Sequence, residues 1–390
     1  MNIEYEKMFL RFTGYNTGKK KCKLCGREDV VISEVIGVCS ECLRNNPEEA
    51  LAIARRSHVI SRGRYGLPGS PPKGGSVKCN ICANECELKE GEKGFCGLVE
   101  NRNGRLYRYA GFPDKAVVDY YYDPLPTNCV AEWFCPATTG LGYPKYAVKS
   151  DGERGFYNLA VFYGACNLDC IFCQNWSYRE NTRKLKPLMS ARELASKVHD
   201  KVTCICFFGG DPSPQIIHAI ATSRIALKKA RDDGRILRIC WETNGLMNPK
   251  LLEVAVKLSL ESGGIFKFDI KAWTPSIYEA LTGVSNKMLF ENFKLACKYI
   301  DERPEVPLVM ASTLLVPGYV DVYEVRMIAR FIASIDPEIP YSLLAFHPDY
   351  MLTDLPPTSR IHALECLNAA KEEGLKNINI GNIWLLGDYY

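Results

Sequence analysis

The chain has 390 residues, 47% of them apolar and 24% charged, which is the balance of an ordinary globular protein with length for one large domain and one or two small ones. Its net charge of +4 is too weak to imply a nucleic-acid partner, and no apolar run approaches the length of a membrane span. Eighteen cysteines is a high count; with no signal-peptide pattern in Met1-Asn2-Ile3-Glu4-Tyr5-Glu6-Lys7 and with Cys-x2-Cys spacing repeated, metal and cluster ligation in a reducing cytoplasm is expected rather than disulfides.

Residues 1–60 form a first unit around Cys22-x2-Cys25-x13-Cys39-x2-Cys42. Two such knuckles present four thiolates tetrahedrally, the pattern of a zinc ribbon, with a rubredoxin-like iron as the competitor. Four protein ligands close the site, so its expected role is structural or in partner contact. The neighbouring Lys19, Lys20, Lys21 and Lys23 read as a solvated basic surface. Residues 61–78 are rich in Gly and Pro and read as a linker. Residues 79–154 hold a second set, Cys79-x2-Cys82-x3-Cys86-x9-Cys96. Zn²⁺ or an auxiliary [4Fe–4S] cluster fits it; the three-residue gap is not a zinc knuckle, which leans the reading to iron–sulfur. Cys129 and Cys135 either complete or replace these ligands or are ordinary buried thiols.

Residues 155–390 alternate between strand-like and helix-like stretches. Apolar runs lie at 158–163, 203–208, 236–241, 264–270, 308–316 and 340–346. Helical patterns begin at the capping box Ser190-Ala-Arg-Glu193 and cover about 215–232, 249–260, 287–300, 321–334 and 358–374. Asn379–Ile383 is a candidate edge element. Alternation of this kind predicts an α/β fold with a parallel sheet, here a partial (β/α)6 TIM-like barrel whose active site lies at the C-terminal strand ends.

The strand ends carry the polar motifs. After the first strand, Cys166-x3-Cys170-x2-Cys173 places three thiolates on one loop. Electron-transfer iron–sulfur clusters usually take four Cys ligands. Three leave one iron of a [4Fe–4S] cluster open, as a catalytic zinc keeps an open position. After the second strand comes Gly209-Gly210-Asp211-Pro212, where paired glycines let backbone approach closely and Asp211 offers an acceptor to an ammonium. After the third and fourth come Glu242-Thr243-Asn244-Gly245 and Asp269-Ile270-Lys271; after the sixth, Leu344-Ala345-Phe346-His347-Pro348. Cys204, Cys206, Cys240, Cys297 and Cys366 read as core residues without ligand spacing.

Across residues 155–386 these motifs resemble the radical S-adenosylmethionine (SAM) superfamily. The resemblance is to its activase-like branch of pyruvate formate-lyase activating enzyme-related and AmmeMemoRadiSam-like proteins. It implies that Cys166, Cys170 and Cys173 hold the catalytic [4Fe–4S] cluster, that the open iron chelates SAM, and that an electron splits the sulfonium to a 5′-deoxyadenosyl radical. It further implies SAM contacts for Phe172, Gly209, Gly210 and Asp211, a carboxylate contact for Lys271, and cation or ribose contacts for Glu242, Thr243 and Asp269. Glu242 is one methylene longer than the family's Asp. His347 matches a His that contacts SAM. Related proteins carry a similar Cys-rich region before the barrel. The expected reaction is hydrogen abstraction from an unactivated C–H bond for oxidative modification or C–C coupling of a small molecule or lipid, with a ferredoxin- or flavodoxin-like electron donor. Two alternatives stand beside it: a glycyl-radical-enzyme activase or other protein-modifying enzyme, and a non-enzymatic electron-transfer or nucleic-acid-binding metalloprotein.

Overall fold

A computed structural model describes residues 18–127 and 129–390; the stretch Met1–Lys7 read for an export signal, and Asn128 beside Cys129, lie outside them. The framework is a nine-stranded sheet. Its strands are β1 (Ala116–Pro124), β2 (Tyr157–Tyr163), β3 (Leu188–Met189), β4 (Val202–Gly209), β5 (Arg238–Thr243), β6 (Phe266–Asp269), β7 (Val309–Leu315), β8 (Tyr341–Ala345) and β9 (Ile378–Gly381). The spatial order is β9-β8-β7-β6-β5-β4-β2-β1-β3, so the sheet is an open arc among the described residues. From β2 to β9 every pairing is parallel. The six expected strands appear as β2 and β4–β8, and the expected edge element appears as β9. Ala116–Pro124 was not expected to be a strand. It belongs to the Cys-rich segment 79–154 yet runs antiparallel along the whole of β2, from Val118↔Tyr163 to Pro124↔Tyr157.

Period-two alternation gives each parallel strand two distinct faces. Leu159, Val161, Ile205, Phe207, Ile239, Trp241, Phe266 and Phe268 are all buried. Their rings form a continuous row, with Phe207 to Trp241 at 4.7 Å and Phe266 to Phe268 at 4.9 Å. This is the face covered by helices. Phe268 meets Phe293 of helix Lys287–Cys297 at 5.0 Å, and the Tyr163 hydroxyl lies 2.9 Å from His218 Nδ1 of helix Ile216–Asp232. The other face looks into the arc and carries Cys204, Cys206, Arg238, Cys240, Glu242 and Lys267.

The N-terminal unit is not a separate bead. Its long helix α1 (Pro47–Gly63) starts with Pro at its first position, a placement that Pro's fixed φ favours. It buries His58, Ser61 and Arg62, and packs on helix α2 (Pro275–Thr282). Sequence patterning did not reveal either helix.

Candidate active site

β2 ends at Tyr163, and the loop that follows carries the three cysteines. Cys166 and Cys170 are buried and Cys173 is half-buried. Their sulfurs do not all lie within 4.8 Å of one another, so the loop does not present them at single-ion spacing. Burial pushes the Cys170 thiol up to about 12 despite the Lys271 ammonium, and raises Cys166 and Cys173 as well.

Two residues inside the motif hold this loop. Asp169 is fully buried and accepts from Ser61 Oγ at 2.8 Å and Arg179 Nη2 at 2.7 Å, with His58 Nδ1 at 3.0 Å. Burial alone would raise its pKa; His58 and the Arg179 and Arg62 charges outweigh that and hold the carboxyl well below its ordinary value. Asn167 accepts from Asn84 Nδ2 at its carbonyl (2.7 Å) and from Asn244 Nδ2 at its side chain (2.8 Å), and donates to the Leu246 carbonyl at 2.8 Å. The motif's two polar residues thus fasten the cysteine loop to four separate parts of the chain.

A cavity of about 230 Å³ opens at the strand ends beside the triad. Its wall brings together Cys166, Cys170, Cys173, Phe172, Gly209, Gly210, Asp211, Glu242, Thr243, Asp269 and Lys271. His347 is not in that wall; its Nδ1 lies 2.9 Å from Asp349 Oδ2. Asp211 is fully committed within the protein. It accepts from Ser213 N (2.8 Å), Ser213 Oγ (2.5 Å), Thr243 Oγ1 (3.1 Å) and Asn244 N (2.8 Å), while burial raises its pKa. Asp211 therefore ties the β4 and β5 ends together. The glycines are dictated by the same packing. Gly209 has φ +108°, and a Cβ on Gly210 would sit 2.3 Å from the Ala165 carbonyl oxygen. Lys271 bonds Asp269; burial would lower its pKa, but Asp269 and the Cys170 side hold it above the ordinary ammonium value. Glu242 pairs with the buried Lys267 at 2.9 Å, and that ammonium outweighs burial to keep its carboxyl below the usual range.

The two N-terminal cysteine sets differ in spacing. Cys22 and Cys42 sulfurs are 3.7 Å apart and Cys25 and Cys39 sulfurs 3.8 Å, with all four within 4.8 Å. A tetrahedral ion with metal–sulfur bonds of about 2.3 Å separates its thiolates by about 3.8 Å. These four can therefore hold a metal ion. Burial raises the Cys22 thiol, but N–H groups of Cys25, Cys39 and Leu24 bring it down to about 6. Cys79, Cys82, Cys86 and Cys96 face one another closely enough to couple electrostatically, yet no three of them lie within 4.8 Å of one another. Arg108 Nη2 reaches Cys79 Sγ at 3.4 Å, and the Phe95 N–H reaches Cys86 Sγ at 3.5 Å.

A model of the radical SAM superfamily matches residues 160–332. An uncharacterised protein of Methanocaldococcus jannaschii is 31% identical over 314 residues, which is 79% of this chain and 81% of that one. The chain belongs to the radical SAM superfamily. Similarity also extends to an isethionate sulfite-lyase activating enzyme of Desulfovibrio desulfuricans, 34% identical over 141 residues, 36% of this chain and 40% of that enzyme. A solved domain of pyruvate-formate lyase-activating enzyme from Bacteroides vulgatus aligns with 45% of this chain and 98% of its own, at 20% identity and a TM-score of 0.35.

Membership makes this radical SAM protein an enzyme and implies SAM and a [4Fe–4S] cluster as its cofactors. The residues present fit them. Three soft sulfur donors share one loop at more than single-ion spacing. A cavity lies against them, walled by a paired ammonium and carboxylate. The Tyr278 hydroxyl, whose pKa is raised by burial and then by the charges of Cys170 and Asp269, is buried with no hydrogen-bond partner among the described residues. Sequence motifs had not pointed to His58, Ser61, Arg179 or Tyr278. His58 and Ser61 reach the triad loop from a distant stretch of chain, and Arg179 follows the triad in a helix that the sequence pattern did not mark.

Proposed function

We propose that this radical SAM enzyme abstracts hydrogen from an unactivated C–H bond of a small-molecule or lipid substrate and carries it to an oxidised or coupled product. The observation that carries this reading is the spacing of Cys79, Cys82, Cys86 and Cys96, wider than a single ion holds, in a segment whose backbone is stitched to the active-site loops. Ala83 N donates to the Leu246 carbonyl at 3.0 Å, and Asn84 holds Asn167 of the cysteine loop. An auxiliary [4Fe–4S] cluster there would lie beside the radical site and could take the electron left on an oxidised product. The catalytic cluster with SAM bound supplies one-electron cleavage of the sulfonium. The protein's own groups do the rest. Asp169 and Asn167 fix the cysteine loop, Lys271 and Asp269 face the cofactor cavity, and Phe172 covers it from inside the motif. At Cys22, Cys25, Cys39 and Cys42 the ion is Zn²⁺, and its role is to hold the N-terminal unit against the barrel.

A glycyl-radical-enzyme activase is the second reading, favoured by the likeness of 141 residues of the chain to an enzyme named for activating isethionate sulfite-lyase. Metal analysis decides between the two. Iron and labile sulfide at Cys79–Cys96, lost in Cys82→Ser, support the oxidative reading; zinc at that site, with a glycyl radical appearing on a partner polypeptide, supports the activase. In either case the expected electron donor is a ferredoxin- or flavodoxin-like protein.

A further inference from the structure

Below the cofactor cavity, inside the arc of the sheet, lies a second cavity of about 130 Å³. Five cysteines line it: Cys129, Cys135, Cys204, Cys206 and Cys240. They come from three places in the chain. Cys204 and Cys206 are two apart on β4 and share its inward face. Cys240 is the register partner of Cys206 on β5. Cys129 and Cys135 are brought over the open side by the segment that follows β1. None of the five is in a disulfide.

Buried cysteine is common in cores, but core thiols pack against hydrocarbon. These face charge. Lys267 Nζ, on β6, lies 3.0 Å from Cys129 Sγ and 3.3 Å from Cys206 Sγ, so the two sulfurs flank one buried ammonium. Cys129 Sγ is also 3.2 Å from Glu242 Oε1. Arg238, paired with the buried Glu153 at 2.6 Å, closes the other end. Lys267 also pairs with Glu242 at 2.9 Å, and metal ligation would ionise the two thiols beside that pair. No three of the five lie within 4.8 Å of one another or of an acidic oxygen. That spacing is too wide for one tetrahedral ion. The Cys166, Cys170 and Cys173 sulfurs, in a loop of cluster-binding type, fail the same single-ion criterion.

We infer that this interior cavity is a ligand site for a further iron–sulfur cluster, held by thiolates drawn from Cys129, Cys135, Cys204, Cys206 and Cys240, with Lys267 balancing its charge. Phe208, Glu242 and Lys267 line both this cavity and the cofactor cavity above it, so such a cluster sits directly on the inner side of the SAM pocket. The site does not depend on what the Cys79 set binds, nor on the substrate class proposed above.

The most direct test is an anomalous difference map at the iron edge from crystals of the anaerobically reconstituted full chain. A peak between Cys129 and Cys206, in the same map that shows the triad's iron, is the expected result. A triad peak with an empty interior overturns the inference, as does a peak there at the zinc edge alone. In solution, a Cys166→Ala/Cys170→Ala/Cys173→Ala/Cys79→Ser/Cys82→Ser chain should retain about two to four irons with labile sulfide. Adding Cys129→Ser and Cys206→Ser should remove them; iron already absent from the parent variant, while its melting transition stays cooperative, contradicts the site.

Discussion

Asp169 shows how much of this active site is held by a residue that touches no cofactor. Its carboxylate gathers His58, Ser61 and Arg179 around the cysteine loop. Removing one partner of a buried ionic group leaves the others uncompensated and costs about 3–5 kcal/mol. Asp169→Asn should therefore lower the denaturant midpoint markedly and reduce the iron held at the triad, read by urea unfolding and iron analysis. A midpoint within error of wild type would mean the network is dispensable. The sign of the pH effect follows from the depressed pKa. The stabilisation from Asp169 is fully present above the unfolded carboxyl value of about 3.9 and is lost as pH falls below it towards the folded value. Lys271 is a different case, because it faces the cavity. A charged hydrogen bond is worth about 1.5–3 kcal/mol, so Lys271→Ala should weaken SAM binding roughly 10- to 100-fold by isothermal titration, with triad iron unchanged.

Among the elements, the β4 end bears most directly on the site. A Cβ at Gly210 would collide with the Ala165 carbonyl oxygen, which belongs to the backbone and cannot swing aside as a side chain would. Gly210→Ala should push the cysteine loop outwards, costing about 1–3 kcal/mol and lowering the iron content at the triad. Unchanged iron in that variant would show that the loop can yield. The parallel strands themselves were legible in the sequence, because most are short apolar runs followed by Gly, Asp, Glu or Pro. β1 was not. Its second half, Asp119–Asp123, is partly or fully exposed and carries a charge at each end, so it lacks the apolar signature of a core strand; it is a strand because β2 pairs with it. Of the five interior cysteines, Cys204, Cys206 and Cys240 read as core residues in the sequence, and Cys129 and Cys135 read either as ligands of the Cys79 set or as buried thiols. Their alternation at 204 and 206 was visible, but joining it to 240 and 129 required the register of β4 on β5 and the path of the segment after β1, neither of which the sequence states.

For the whole molecule, the N-terminal unit and the barrel share one hydrophobic core. α1 places His58 and Ser61 on Asp169, and Arg62 over the Phe95 ring at 3.5 Å, beside Cys96. Loss of the ion proposed for Cys22, Cys25, Cys39 and Cys42 should therefore be felt at the triad. Cys42→Ser is expected to lower the thermal midpoint and slow SAM cleavage while leaving it measurable. Cleavage abolished in a folded Cys42→Ser protein would give that unit a catalytic role instead. Acid sensitivity is set partly by His218. Burial pushes its pKa down to about 4, from an ordinary value near 6.5. Because the unfolded chain takes up that proton more readily, the contribution of His218 is full above pH 6.5 and falls away towards pH 4. The loss amounts to about 3 kcal/mol, which His218→Gln should reduce in a stability-versus-pH series.

The central claim is that Cys166, Cys170 and Cys173 make this chain a radical SAM enzyme. It is tested most directly by adding SAM to the anaerobically reconstituted, reduced protein and measuring 5′-deoxyadenosine. The account predicts its formation by the wild-type chain and its absence from Cys173→Ala. A wild-type protein with a reduced, SAM-bound cluster that yields no 5′-deoxyadenosine, or a Cys173→Ala variant that still yields it, would contradict the account.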